Sequence, residues 1–95
     1  MSDVIKAAVA ALNEKLSGGF DGLAKFVIEG EGALMVDGDG AREGDDDADV
    51  TLTASQEAFE AILAGELNPT TAFMTGKLSV DGDMGAAMKL GSALS

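Results

Sequence analysis

The segment spanning residues 68–90, NPTTAFMTGKLSVDGDMGAAMKL, constrains the fold of this chain more than any other. Asn68 followed by Pro69 predicts a helix start, because asparagine supplies a capping oxygen and proline at the first helical position loses only an N–H that would be unpaired anyway. Gly76 predicts the end of this short helix, and residues 77–81 alternate as a strand does. Asp83 predicts the cap of a second helix. Three elements in so short a segment predict a fold that mixes helices with a sheet.

The second helix, residues 84–94, is apolar on nearly every side. After Asp83, its one charged residue is Lys89. A helix that is apolar all round is expected to be buried on several sides, and a chain of 95 residues has little interior in which to hide it. The surplus apolar surface therefore either packs against a partner or closes an apolar cavity. From these residues alone, both alternatives stay open.

The rest of the chain predicts further helices and strands around this segment. Apolar residues recur at helical spacing in the first part, which Gly18 and Gly19 end, and alternate with polar residues from Leu23 onward. This order predicts an α+β fold with an antiparallel or mixed sheet covered by helices on one face. In chain order the predicted elements are a helix at 3–17, a strand from 23, a turn at 29–32, a strand at 33–37, a strand at 49–53 and a helix from 55 to 65.

Composition bounds the class of protein. Ninety-five residues, of which 46% are apolar, predict one domain over residues 1–95. The chain has no run of 18 apolar residues, and an acid precedes the apolar part of its N-terminus, so neither a membrane span nor a secretion signal is predicted. The absence of cysteine excludes disulfides and thiolate metal sites and fits a reducing compartment. We therefore expect a cytoplasmic protein.

The charge balance limits the classes of partner that the chain is expected to bind. Seventeen acidic residues against six basic ones give a net charge of −11, which opposes nucleic acid and anionic membranes. The basic residues are also scattered along the sequence. We therefore expect no nucleic-acid partner and no stable membrane insertion.

Residues that carry catalysis are scarce. The chain has no histidine, cysteine or tyrosine, so its serines and threonines lack their usual activating base. Acidic residues are plentiful, but nearly all lie in polar turns, where a carboxyl is expected to keep its ordinary pKa. The sequence therefore predicts a protein that is not an enzyme, with no catalytic residues and no cofactor.

The acidic stretch DGDGAREGDDD, residues 37–47, invites comparison with a calcium loop. An EF-hand loop needs oxygen ligands at positions 1, 3, 5 and 12 and glycine at position 6. Counted from Asp37, those last three positions hold Ala41, Ala48 and Arg42. No metal site is predicted. Instead, residues 37–49 predict a solvated loop, or a short edge strand around Arg42, that keeps the sheet edge from pairing with neighbours.

Methionines admit two interpretations. Met84 and Met88 lie four residues apart on the last helix, and Met74 precedes Gly76. Flexible methionine side chains fill irregular core gaps, and they also form adaptable linings of binding cavities. Taken alone, the pattern favours ordinary core packing.

At residues 68–90 the sequence resembles the sterol carrier protein 2 family of nonspecific lipid-binding domains. The shared pattern is a proline-started short helix with an aromatic residue, then Gly-Lys-Leu, an alternating strand, Gly-Asp-Met, and a helix containing Lys-Leu. Residues 48–67, ADVTLTASQEAFEAILAGEL, also look like the family's strand followed by a helix. The resemblance implies a sheet of five strands covered by helices, with a hydrophobic tunnel between the layers that holds fatty acid, sterol-like lipid or fatty acyl-CoA.

The resemblance also implies which residues surround the lipid. The sheet supplies the floor, the helix after Ser55 one wall, and the last helix closes the tunnel. Val80 also belongs to the implied sheet floor. The implied lipid-binding residues are Phe26, Ile28, Leu34, Val36, Phe59, Ile62, Leu63, Phe73, Met74, Leu78, Met84, Ala87, Met88 and Leu94.

Two departures from the family pattern shape the expected role. The chain ends Ala93-Leu94-Ser95, which is no peroxisomal address, so a stand-alone prokaryotic type of domain is implied. Its acidity favours fatty acid or a neutral lipid over acyl-CoA. We therefore expect a non-catalytic lipid carrier, monomeric or weakly dimeric. The alternative is a protein-interaction or dimerisation module that uses the apolar C-terminal helix.

Overall fold

Five strands and four helices make up the fold in the computed structural model, which describes residues 3–16 and 19–94. The predicted helix end at Gly18 lies outside the described residues, and the first helix ends at Lys15. The elements are α1 (Asp3–Lys15), β1 (Ala24–Ile28), β2 (Gly32–Asp37), β3 (Gly40–Glu43), β4 (Val50–Ala54), α2 (Gln56–Leu63), α3 (Pro69–Met74), β5 (Leu78–Gly82) and α4 (Met84–Leu94).

The strands form one mixed sheet in the order β3-β2-β1-β4-β5. β1 and β4 pair in parallel at its centre, and the other three pairings are antiparallel. The predicted α+β class with a five-stranded mixed sheet is confirmed. Residues 40–43 form the edge strand β3, so the short-strand alternative around Arg42 is confirmed as well.

Side-chain caps start the last three helices where the sequence predicts. The Asn68 Oδ1 atom accepts hydrogen bonds from the backbone N–H groups of Thr70 (2.8 Å) and Thr71 (3.3 Å). Ser55 Oγ accepts from the Ala58 N–H at 3.1 Å. Asp83 Oδ1 accepts from the backbone N–H groups of residues 85 and 86, at 2.9 and 3.2 Å. These bonds satisfy donors that a helix start leaves unpaired, so they fix where each helix leaves the sheet.

The helices cover different halves of one sheet face. α1 packs on β2 and β3, whereas α3 and α4 pack on β5, and α4 also packs on β4. Along β1 and β4, alternate residues are buried, as expected for strands that turn one face toward helices. The sheet face is therefore shared between two helical layers, and residues under α1 are separated from those under α3 and α4.

The acidic stretch after β3 covers part of the opposite sheet face. Met35 of β2 is completely buried there. A Cβ atom added to Gly44 would lie 2.9 Å from the Met35 Cγ atom, so the chain passes directly over this side chain. Lys25, which pairs with Met35 in the β1–β2 register, forms an ion pair with Asp45 at 2.9 Å. The stretch is thus not only a solvated loop, because it shields a buried methionine.

Candidate functional site

A cavity of about 300 Å³ lies between the β4–β5 half of the sheet and the helices α3 and α4. Its lining is apolar except for the hydroxyl of Thr70. The lining residues are Phe26, Leu52, Ile62, Pro69, Thr70, Phe73, Met74, Leu78, Val80, Met84, Ala87, Met88, Gly91 and Leu94.

Strand register builds the cavity floor. Phe26 of β1 lies beside Leu52 of β4, which in turn lies beside Val80 of β5. Since residues directly opposite in paired strands point to the same face, these three side chains form a row across the sheet. On its far side, Phe26 packs edge-on against Phe59 of α2, with 5.2 Å between ring centroids. The floor is therefore anchored in the closed core.

The mouth of the cavity is formed by exposed apolar side chains. Phe73 is 43% exposed, Met74 79%, Met84 46% and Met88 72%. Within residues 3–16 and 19–94, these are the large hydrophobic side chains that are exposed, and all four line this cavity. Contiguous exposed apolar surface on a soluble domain marks an interaction or ligand site more often than scattered single residues do.

α4 is buried on one side rather than on several. Ala87, Leu90 and Leu94 are buried against the sheet layer, whereas Met84 and Met88 are exposed at the mouth. In the described chain the helix is therefore buried on one side, and its burial on further sides by a ligand or a partner stays a prediction. Its surplus apolar surface borders the cavity instead.

The structure divides the residues implied by the resemblance into two groups. Those at the cavity are Phe26, Ile62, Phe73, Met74, Leu78, Met84, Ala87, Met88 and Leu94. Phe59 and Leu63 instead border a shallow groove between α1 and α2. Ile28, Leu34 and Val36 are buried core residues outside the cavity lining, and the β2 strand that holds Leu34 and Val36 packs against α1.

Sequence reasoning missed four lining residues. The alternation of apolar and polar residues indicates that the Leu52 side chain points inward. Its position beside the cavity depends on the order of the strands in the sheet, which alternation does not reveal. For Pro69 and Thr70 the sequence predicts only the start of α3. Gly91 gave no signal, yet a Cβ atom there would lie 3.7 Å from the Pro69 Cβ, so this glycine marks the close packing of α4 on α3.

Within the part of the chain that the structure describes, no ionisable side chain lines the cavity. Between residues 68 and 94, Asp81 and Asp83 are balanced by Lys77 and Lys89, so the net charge of −11 arises in the preceding sequence. A shifted pKa occurs away from the cavity, in the β2–β3 hairpin, where the backbone N–H of Asp39 and the Arg42 guanidinium lower the pKa of Asp37. The side chains that line the cavity thus carry no charge, and Lys15 Nζ donates to the carbonyl oxygen of the lining residue Leu94 at 3.4 Å.

The described residues contain neither a candidate metal-binding cluster nor a candidate membrane-spanning helix. Across residues 3–16 and 19–94, Asp and Glu residues form no cluster of three that could hold a metal ion. In the same ranges, no helix has the length and apolar character that crossing a bilayer requires.

Comparison with known proteins gives a family match over nearly the whole chain. The family model described as the SCP-2 sterol transfer family matches residues 4–95. "Hydroxysteroid dehydrogenase-like protein 2" from Xenopus laevis is 36% identical over 98 residues, covering 95% of this chain and 24% of that protein. The chain therefore spans about a quarter of the length of this relative.

Solved structures share the fold. The solution structure of Sterol Carrier Protein 2 from Aedes aegypti in complex with palmitate has a TM-score of 0.79 at 24% identity, covering 100% of this chain and 97% of that chain. The solution structure of palmitated SCP2L2 from the same organism has a TM-score of 0.70 at 25% identity, covering 99% and 95%. These TM-scores show that the chain shares its overall fold with both structures.

Proposed function

Because the chain belongs to the SCP-2 sterol transfer family, we propose that residues 1–95 form a single lipid-binding domain whose cavity holds the apolar chain of a lipid. The palmitated SCP2L2 of Aedes aegypti, 25% identical to this chain, supports a C16 fatty acid as the first ligand to test. We assign no chemical step to the domain, since the cavity lining offers no acid, base or nucleophile beyond the Thr70 hydroxyl.

One observation carries this proposal: the exposed large hydrophobic side chains of the described chain all surround one cavity. Fully burying a methionine or phenylalanine side chain is worth about 1.5–3 kcal/mol relative to leaving it exposed. A lipid tail that enters between Phe73, Met74, Met84 and Met88 covers part of that surface. Binding thereby recovers hydrophobic free energy that the unliganded fold leaves unused.

The magnitudes fit reversible binding. A chain of about 16 carbons gains roughly 0.8 kcal/mol per buried methylene, near 12 kcal/mol for complete burial. A cavity of about 300 Å³ is at the lower limit of the usual range for ligand pockets, about 300–1,000 Å³. Part of a long chain therefore lies at the mouth, and the gain is incomplete. Association costs of about 4–15 kcal/mol leave an affinity on the order of micromolar.

The uncharged lining of the cavity narrows the ligand class. None of the described lysines lines the cavity, and Lys15, which donates to the Leu94 carbonyl oxygen, is a single cation, so a headgroup with several negative charges finds no cluster of basic residues there. The preceding residues add an acidic field around it. We propose a fatty acid or a neutral sterol-like lipid in preference to fatty acyl-CoA. The cysteine-free sequence suits a carrier in a reducing compartment such as the cytoplasm.

Native mass spectrometry after gentle purification tests the proposal directly. We expect a fraction of the protein to carry one non-covalent adduct with the mass of a lipid, which organic extraction removes. A lipid-free dimer that also fails to take up added palmitate would contradict the proposal. That result would favour the alternative, an interaction module in which a second copy covers the apolar surface of α4.

Met88→Arg tests the placement of the mouth. Met88 is 72% exposed, so we expect the variant to fold with an unchanged far-UV spectrum. The guanidinium must stay hydrated beside the passing alkyl chain, so we expect about tenfold weaker binding of a fluorescent C16 fatty acid.

Ser79→Arg is the matched control, because Ser79 is exposed on β5 and alternates with the inward-facing Leu78 and Val80. It adds the same charge on the opposite sheet face, and we expect it to bind as the parent does. Full-strength binding by Met88→Arg would show that the lipid enters elsewhere.

A further inference from the structure

The sulfur atoms of this chain are distributed unevenly with respect to the cavity. The sequence holds five methionines and no cysteine. Met74, Met84 and Met88 are exposed at the cavity mouth, whereas Met35 is completely buried on the other face of the sheet. Among the four methionines that the structure describes, the thioethers that a solute can reach are therefore the ones that border the proposed lipid site.

We propose that Met74, Met84 and Met88 form an oxidative modification site, at which sulfoxide formation by peroxides lowers lipid affinity. This inference rests on the proposed lipid-binding function. In the reaction, a sulfur lone pair attacks one peroxide oxygen, so that an S–O bond forms and the O–O bond breaks. Sulfur loses two electrons, and hydrogen peroxide is reduced to water, which keeps both protons.

Selectivity follows from access to sulfur. The exposed fractions of Met74 and Met88 are 79% and 72%, and that of Met84 is 46%. Met35 has no exposed surface, and the chain at Gly44 passes so close that a Cβ atom there would lie 2.9 Å from its Cγ. A dissolved peroxide therefore meets the three mouth sulfurs in the folded protein and is kept from Met35.

The effect on binding follows from the change in polarity. Oxidation converts a flexible apolar side chain into a polar one, and the cavity lining offers the sulfoxide no donor apart from Thr70. An alkyl chain that covers an unpaired S=O group loses affinity, by about tenfold or more for a single buried group. Met84 and Met88 are one helical turn apart on α4 and both line the cavity, so their oxidation acts on the same ligand segment.

The experiment treats the folded, lipid-free protein with hydrogen peroxide. Peptide mapping by mass spectrometry then locates each added oxygen, and titration with a fluorescent C16 fatty acid gives the affinity. The parent protein is compared with Met35→Leu and with a variant that carries Met74→Leu, Met84→Leu and Met88→Leu, each against its own untreated form.

We expect oxygen at residues 74, 84 and 88 before residue 35, together with a loss of about tenfold or more in the affinity of the parent protein. Met35→Leu should lose affinity to the same extent. The triple leucine variant should keep its untreated affinity after peroxide. Reduction of the oxidised parent by methionine sulfoxide reductases for both epimers should restore binding.

Several results would overturn the inference. One is oxidation of Met35 as fast as that of the mouth methionines, and another is unchanged affinity after complete oxidation at the mouth. An equal loss in the triple leucine variant, or no recovery after reduction, would contradict it as well. A parent protein that binds no fatty acid before treatment refutes the lipid-binding proposal itself, while the peptide map still decides which methionines are modified.

Discussion

We expect the Ala87→Phe variant to fold normally and to bind a C16 fatty acid at least about tenfold more weakly than the parent chain. Ala87 is 8% exposed and lines the cavity from the middle of α4, so a ring attached there extends into existing empty space. Overpacking a filled core costs about 1–3 kcal/mol, a cost that the cavity avoids. Displacing about two methylenes of ligand is enough for the expected tenfold loss, at roughly 0.8 kcal/mol each.

The matched control is Ala93→Phe, the same substitution on the same helix. Ala93 is exposed and does not line the cavity, so we expect parental affinity. Fluorescence titration gives both affinities, and thermal unfolding shows whether each variant is folded. If Ala87→Phe kept the parental affinity while unfolding cooperatively, the lipid could not occupy the space beneath α4.

Elements whose signals are local in sequence were predictable. The caps at Ser55, Asn68 and Asp83 each bond to N–H groups two or three residues later, so the residues that decide the helix start are neighbours in the chain. The resemblance at residues 68–90 covers α3, β5 and the first part of α4, which together supply most of the cavity lining. A continuous segment of the sequence therefore determines this part of the fold and of the site, so it could be predicted.

Pairing between distant segments was not predictable in the same way. Alternation shows that Leu34, Val36 and Leu52 face one side of a sheet, but it does not show which helix covers each strand. In the structure α1 packs on β2, so Leu34 and Val36 belong to the closed core, whereas Leu52 lies beneath the cavity. One sheet face serves two helical layers, so strands that share this face do not all border the same cavity.

Composition likewise shows how many apolar and charged residues the chain has, but not where they lie in the folded structure. An apolar excess in α4 was evident from the sequence, but the exposure of Met84 and Met88 depends on how α4 lies against α3 and β5. The net charge of −11 predicts repulsion of nucleic acid, anionic membranes and multiply charged headgroups, but it does not show that the segment from residue 68 to 94 is balanced. Local placement therefore decides the chemistry of the mouth.

We expect Gly82→Ala to be the most destabilising single-methyl change near the site. Gly82 ends β5 at a φ of 105°, and an added Cβ would lie 2.4 Å from the Asp49 carbonyl oxygen and 3.2 Å from the Val50 Cα. Both contacts are backbone atoms, which cannot rotate away, and Asp49 also accepts the Asp83 N–H at 2.9 Å. The substitution thus forces β4, β5 and the start of α4 apart.

The expected loss for Gly82→Ala is at least about 3 kcal/mol, since the left-handed backbone alone costs roughly 1–2 kcal/mol for a residue with a Cβ. A domain of 95 residues has a total free energy of unfolding of about 5–14 kcal/mol, so the expected loss is a large fraction of it. Gly76→Ala is the control, because its φ is 79° and nothing lies within 4 Å of the added methyl. Urea unfolding of both variants separates backbone strain, which they share, from collision with Asp49, which Gly82→Ala alone suffers. Equal losses would mean that β4 yields at Asp49, and then α4 is not held over the cavity as tightly as this junction indicates.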